Sequence, residues 1–445
     1  MDVDRVPAGR QRLPAASTLI VADELRAFHH GRMQHHRHIA HSAAALAAAM
    51  GIGRFVYTPI LPLMAAQADI SPHTSATLAT ANYAGYLAGA LAGSVWPRLA
   101  RSVGVCRVSL IVLVASLAGM PLATNVIEWS ALRALSGVAS ALVFVIAVNT
   151  LLEQLHGKPA HLAGWGLGGV GGGIALSAVL VLASGQWRLA WWTSALAAAA
   201  LAAVAWAMHP APNATTSAAS EMSPRAAPSH RAFTLLAASY TLEGVGYIVA
   251  GTFLVAAVAQ DAPPWLGGGT WLVVGLATVP SAALWAALSS RWSHPGLLVT
   301  ALCVQAVGIA LAALVGGVAA ALIGAVLFGG TFIGVSTLSL AAGRLLRYPR
   351  AVALLTAGYS VGQILGPVVV SPLLHNGFRT ALLVAAVVVS AAAVVAGLMR
   401  IVGRQPDGGV AEAEVPDSPG EFVDQGADRG IVLAAPPDQR PRPQR

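Results

Sequence analysis

The feature that most limits this fold is a train of apolar runs that begins near Ser42 and ends near Ile401, with only short polar breaks between them. A helix rises 1.5 Å per residue, so about 20 residues cross a hydrocarbon layer of about 30 Å. Lipid offers the backbone no hydrogen-bond partners, so runs of this length fold as helices that satisfy their own. The breaks define expected spans at 42–65, 75–96, 104–123, 127–152, 161–183, 188–207, 232–259, 267–289, 296–316, 319–342, 350–373 and 379–401. An all-α integral membrane protein with twelve transmembrane helices is the expected fold class. Composition agrees, since 56% hydrophobic and 10% charged residues leave too little polar side chain to cover a water-soluble domain of 445 residues.

The formal net charge of +8 could suggest a nucleic-acid partner. The basic residues instead fall in short breaks and form no aromatic-interleaved face, so the lipid bilayer is the expected partner and nucleic acid is not. Arg98, Arg101, Arg107, Lys158, Arg225, Arg231, Arg291, Arg344, Arg347 and Arg350 belong to one side, against Arg188 and Arg379 on the other. By the positive-inside rule the first side is cytoplasmic, and an even number of spans puts both termini there.

Residues 1–41 form a basic leader in which His29, His30, His35, His36, His38 and His41 crowd together. Nothing fixes a ligand geometry among them, so the leader reads as solvated and disordered rather than as a metal site, and Met33 is a candidate start. A Pro-, Ser- and Ala-rich linker at 209–231 divides the spans into bundles at 42–208 and 232–401, and a tail at 402–445 lacks apolar periodicity. Cys106 and Cys303 are too few for a disulfide framework.

The two bundles repeat one another. Gly51 and Gly53 recur as Gly244 and Gly246, and Arg98 as Arg291, all 193 residues on. Gly104, Gly137 and Gly166 recur 192 residues on as Gly296, Gly329 and Gly358, and Trp187-Arg188 recurs 191 residues on as Phe378-Arg379. Two six-helix halves in parallel orientation place a site between them, with the first spans of each half facing across it.

Within the apolar runs a few ionisable residues need a reason. Arg54 lies 12 residues beyond Ser42, or about 18 Å into the layer. Of the 18 acidic residues, Glu243 alone falls deep inside a span, and the repeat sets it one helical turn from the Arg54 level on the facing helix. One reading has Arg54 hold an anionic solute while Glu243 takes up and releases a proton. The other makes the two a structural lock between halves. Tyr57, Thr58 and Tyr247 share the cavity face by helical spacing, Pro59 and Pro62 bend span 1, and Asn82, Tyr83, Tyr86, Tyr359 and Gln363 are further polar candidates. Arg133, with Gly137 one turn later, needs a carbonyl or carboxylate partner. Gly168 to Gly173 serve close helix packing, because the dinucleotide fingerprint they mimic requires a preceding strand. The sequence carries no Walker loop, and the histidines around the spans sit at span ends, so neither a cofactor nor an enzyme is expected.

The runs Gly51-Ile-Gly-Arg-Phe-Val-Tyr-Thr-Pro-Ile-Leu-Pro-Leu-Met64, Ala81-Asn-Tyr-Ala-Gly-Tyr86 and Leu242-Glu-Gly-Val-Gly-Tyr-Ile248 resemble the YbfB/YjiJ-type branch of the major facilitator superfamily (MFS) over residues 42–401. The resemblance implies that superfamily's twelve-helix fold with alternating access in a bacterial inner membrane. It also makes Arg133-x-x-x-Gly137 similar to the span-4 motif of proton-linked facilitators. The 93–104 loop resembles the loop 2-3 signature without its usual Asp. The expected function is a monomeric, proton-coupled permease for a small, anionic organic solute. A multidrug-type proton antiporter and a non-transporting solute sensor are the alternatives.

Overall fold

In the computed structural model, residues 37–155, 158–208, 230–260, 263–346, 348 and 350–402 are described. The candidate start Met33, the centre of the linker and all of the tail beyond Val402 lie outside the described residues. Among the described residues every regular element is helical. We number the helices α1 (Arg37–Gln67), α2 (Pro72–Val95), α3 (Val103–Gly119), α4 (Val126–Gln154), α5 (His161–Ser184) and α6 (Trp187–Ala205). The second series is α7 (His230–Gln260), α8 (Pro264–Leu288), α9 (His294–Leu314), α10 (Gly317–Leu345), α11 (Ala351–Val370) and α12 (Phe378–Val402). Each expected span falls on one of these helices.

Ten helices among the described residues are long and apolar enough to cross a membrane. Of the remaining two, α3 is short at 17 residues. α2 has the length but is diluted by Ser, Thr, Asn, Tyr and Gly. α1 begins at Arg37, earlier than the apolar run, so His38 and His41 are helical residues and not part of a leader. An Ala-rich segment has high helix propensity and carries the helix back through polar residues that hydropathy alone would exclude.

The outward faces are those of a membrane protein. Ile127, Leu196, Val387 and Ile401 are exposed, as are Trp96, Trp165, Trp206 and Trp292 near one end of the bundle and Trp192 and Trp265 near the other. Large apolar side chains facing outward, with tryptophans near the ends, suit a hydrocarbon belt between two interfaces. The Trp96 end also carries Arg98, Arg101, Arg107, Lys158, Arg231, Arg291, Arg344 and Arg350, and we call it the basic end.

Small residues set how closely the helices approach. A Cβ at Gly137 on α4 would stand 2.1 Å from the Asn82 carbonyl on α2, and one at Gly329 on α10 would stand 2.4 Å from the Val274 carbonyl on α8. Both partners in the second pair lie 192 residues beyond their counterparts in the first. A second recurring contact closes each series of six helices. Gln67 Oε1 accepts from the Trp187 N–H at 3.0 Å, and Gln260 Oε1 accepts from the Phe378 N–H at 3.2 Å, so each first helix is clipped to the start of the sixth.

Between the two series, α5 and α8 run antiparallel in close contact. A Cβ at Gly171 would stand 2.5 Å from Val279 N, and one at Gly275 would stand 2.3 Å from Ala175 N. The packing role expected for the α5 glycines is thus filled by the helix across the interface, while Gly173 meets α1. α2 packs on α11, and the Tyr57–Gln67 part of α1 packs on α7.

Candidate functional site

The site is built by an irregularity in α1. From Ala47 to Arg54 the helix widens to π geometry, fully buried, and regular α-helix resumes only at Tyr57. Gly51 and Gly53 favour such a departure, and Pro59 brings no N–H to the turn that follows. Isolated π turns inside helices are a common device for presenting a functional side chain.

Carbonyls near the end of this segment are met by side chains of α4. Arg133 donates from Nη1 to the Gly53 carbonyl and from Nη2 to the Arg54 carbonyl, both at 3.2 Å. Ser136 donates to the Gly53 carbonyl at 2.9 Å and Ser140 to the Ala49 carbonyl at 2.7 Å. The Arg133 guanidinium also lies over Tyr57, 5.0 Å from the ring centroid. A cation at the C-terminal end of a helical segment faces the negative pole of its dipole. The carbonyl partner expected for Arg133 is therefore backbone, and the residue clasps α1.

Arg54 is 2% exposed and points between the two helix series. Its Nη2 donates to Gln363 Oε1 on α11 at 2.5 Å, while Nε is buried without a hydrogen-bond partner. Its guanidinium carbon stands 4.0 Å from the Tyr86 ring centroid, 5.1 Å from Tyr83 and 5.5 Å from Phe55. Aromatic faces are negative, so they hold a cation in apolar surroundings without neutralising it.

Glu243 does not meet Arg54. Its Oε1 accepts from Gln305 Nε2 of α9 at 3.4 Å, the Tyr359 hydroxyl faces the same carboxyl group, and Oε2 is buried without a partner. The lock between halves expected from opposite charges at similar depth is replaced by two separate centres. One turn of offset along α7 and the width of a tyrosine suffice to part them, and Gln363 takes the place at Arg54 that a carboxylate would have filled. Tyr247 stands within electrostatic reach of both charges. It stacks on Tyr359 with centroids 5.8 Å apart and meets Phe332 edge-on at 4.9 Å.

The other candidates divide by role. The Tyr83 hydroxyl is 2.7 Å from Thr252 Oγ1, and Thr58 donates to the Gly251 carbonyl at 2.6 Å; both contacts join α7 to the first series beyond Arg54, away from the basic end. Thr58 and Gly251 are themselves 193 residues apart, the spacing read between the two series in the sequence. Tyr57 donates to the Ser75 carbonyl at 3.1 Å and Asn82 Nδ2 to the Arg133 carbonyl at 2.9 Å, which makes them packing contacts of the first series. Gln305, Trp271 and Tyr240 were not singled out by sequence. Gln305 is the amide buried opposite the lone deep acid, a pairing that hydropathy within one helix cannot reveal.

Among the described residues no group of three His, Cys, Asp or Glu side chains forms a metal cradle. A cavity of about 510 Å³ opens between the start of α2, at His73, Thr77 and Thr80, and the end of α11, at Val368, Ser371 and Pro372. It lies beyond Tyr83 toward the end opposite the basic one. No curated protein sequence matches the chain. A family model described as "Uncharacterised MFS-type transporter YbfB" matches residues 46–400, a stretch that holds α1 from its π turn almost to the end of α12. The chain is a multi-pass membrane protein of that family, a member of the MFS-type transporters.

Proposed function

We propose that this transporter moves a small organic anion, driven by protons, by alternating access between two six-helix halves, with Arg54 as the anion-binding group and Glu243 as the proton carrier. The observation that supports this best is a buried guanidinium between the two series whose polar partner is a neutral amide. A permanently charged group at the middle of a membrane is expensive unless it serves a solute or ion path. Gln363 can be displaced by an anion, because its loss from Arg54 forfeits a hydrogen bond and no ion pair. Tyr83, Tyr247, Tyr359 and Gln363 line this path, Arg133 and Asn82 support it, and Tyr57 and Thr58 fix the end that is closed.

The recurring contacts at 191–193-residue spacing support the two-half reading, and the arginine-rich end supports a cytoplasmic location for both termini in a bacterial inner membrane. No observation requires a second copy, and we take the working unit as a monomer.

Proteoliposomes enclosing a pH-sensitive dye and challenged with a panel of small carboxylates test the proposal. The wild-type protein should couple carboxylate movement to proton movement. Glu243→Gln should lose proton coupling but keep carboxylate exchange, and Arg54→Gln should lose both. Wild-type coupled flux in either variant overturns that residue's assignment. The aromatic lining also favours a multidrug-type antiporter, in which case Arg54→Ala would be tolerated and Glu243→Gln would not. Binding without any flux would mark a sensor.

A further inference from the structure

We infer that the solute is an aromatic monocarboxylate, a flat ring bearing one negative charge; this rests on the proposal that Arg54 binds an anion. The limit to one charge comes from the cations. Arg54 and Arg133 are both buried arginines beside α1, yet the terminal nitrogens of Arg133 are committed to the Gly53 and Arg54 carbonyls. Nε is buried without a partner in both, so what sets Arg54 apart is that its bonded terminal nitrogen is held only by a displaceable amide. A dicarboxylate or phosphate would bring a second charge with no cation to meet it, which is costly in a dry site. A single carboxylate that replaces Gln363 meets the planar fork of the guanidinium.

The flat ring follows from what surrounds that fork. Tyr240, Tyr359, Tyr247 and Phe328 form a ladder of nearly parallel rings, with centroid spacings of 4.3, 5.8 and 6.2 Å and interplanar angles of 12°, 19° and 20°. Tyr247, in the ladder, meets Phe332 edge-on at 4.9 Å, and Phe332 in turn meets Phe55, the neighbour of Arg54, at 5.4 Å. On the other side of Arg54, Tyr83 and Tyr86 present their faces to the guanidinium. A carboxylate that replaces Gln363 at Arg54 therefore carries its substituent among rings contributed by α2, α7 and α10. Offset stacking rewards a planar π-system there and gives a puckered aliphatic ring only burial.

Full-length protein in lipid nanodiscs, titrated in parallel with benzoate, cyclohexanecarboxylate, terephthalate and benzamide, tests this by calorimetry. Benzoate should bind about five- to tenfold more tightly than cyclohexanecarboxylate, the factor that one to two ring contacts supply, with terephthalate and benzamide undetectable. Tyr247→Leu, which removes the ring, should bring benzoate affinity down to that of cyclohexanecarboxylate. If cyclohexanecarboxylate binds as tightly as benzoate and both require Arg54, the aromatic inference fails while the anion reading stands. Terephthalate binding as tightly as benzoate overturns the single-charge limit. If no carboxylate binds in an Arg54-dependent way, both fail. The ranking of the four ligands needs only wild-type protein, so a misfolded variant does not blunt it, and dependence on Arg54 is read with Arg54→Gln.

Discussion

Two arginines of the same chemistry, both almost fully buried, have opposite fates because of what each finds within reach. Arg133 meets backbone carbonyls at the end of the π turn, and each buried acceptor left bare would cost about 1–3 kcal/mol. Arg133→Leu should therefore lower the thermal stability of the detergent-solubilised protein clearly. Arg133→Lys should recover only part of it, since an ammonium cannot span two carbonyls as a planar fork does. Arg54 has an amide and aromatic faces in place of carbonyls, so its charge remains available. Gln363→Glu would hand Arg54 an internal carboxylate. We expect it to leave the fold intact and to reduce carboxylate flux more than tenfold in proteoliposomes, because the internal anion competes as a tethered ligand at high effective concentration. That both arginines are buried was legible from hydropathy. Which one is committed to the backbone was not, because free carbonyls exist only where the helix departs from regular geometry.

At the scale of the helix, the repeat supplies an internal control. The positions 192 residues beyond Arg133, Ser136 and Ser140 are Ala325, Phe328 and Phe332 on α10, and α7, the counterpart of α1, runs as one continuous helix from His230 to Gln260. Polar donors on the fourth helix accompany a broken first helix, and apolar residues accompany an intact one. The irregularity of α1 lies at Ala47–Arg54, ahead of Pro59 and Pro62, which stand in the regular helix Tyr57–Gln67. The α2–α4 contact gives a direct measurement of packing tolerance. Gly137→Ala would push a methyl group to 2.1 Å from the Asn82 carbonyl, whereas a Cβ at Gly172 meets nothing within 4 Å. Overpacking of this kind costs about 1–3 kcal/mol, so Gly137→Ala should lower the melting midpoint in detergent and Gly172→Ala should not.

For the molecule as a whole, the contacts at Thr58–Gly251 and Tyr83–Thr252 join the two series on the side of Arg54 away from the basic end. Under the proposed alternating access these contacts part in every cycle. With Cys106 and Cys303 replaced by serine, the pair Thr58→Cys and Gly251→Cys, bridged by a short bifunctional thiosulfonate reagent, should lose more than nine-tenths of its flux and recover it on reduction. Cross-linked protein that still transports would show that this end does not open. The cross-link reports on motion without touching Arg54 or Glu243, and so separates a failure of gating from a failure of binding.

The sequence by itself determined the class of protein, the positions of its helices and the burial of Arg54, Arg133 and Glu243. All of these depend on hydrophobic periodicity and on spacing along one chain, which a bilayer reads directly. Only the tertiary structure decided who meets whom: that Glu243 sits with Gln305 and Tyr359, that Arg54 reaches Gln363, and that Arg133 holds the backbone that aims Arg54. Those partnerships join α1 to α4, α1 to α11 and α7 to α9, and they turn on helix rotation and one π turn. A shift of a single residue in either would redirect every side chain involved, and nothing in local sequence fixes it.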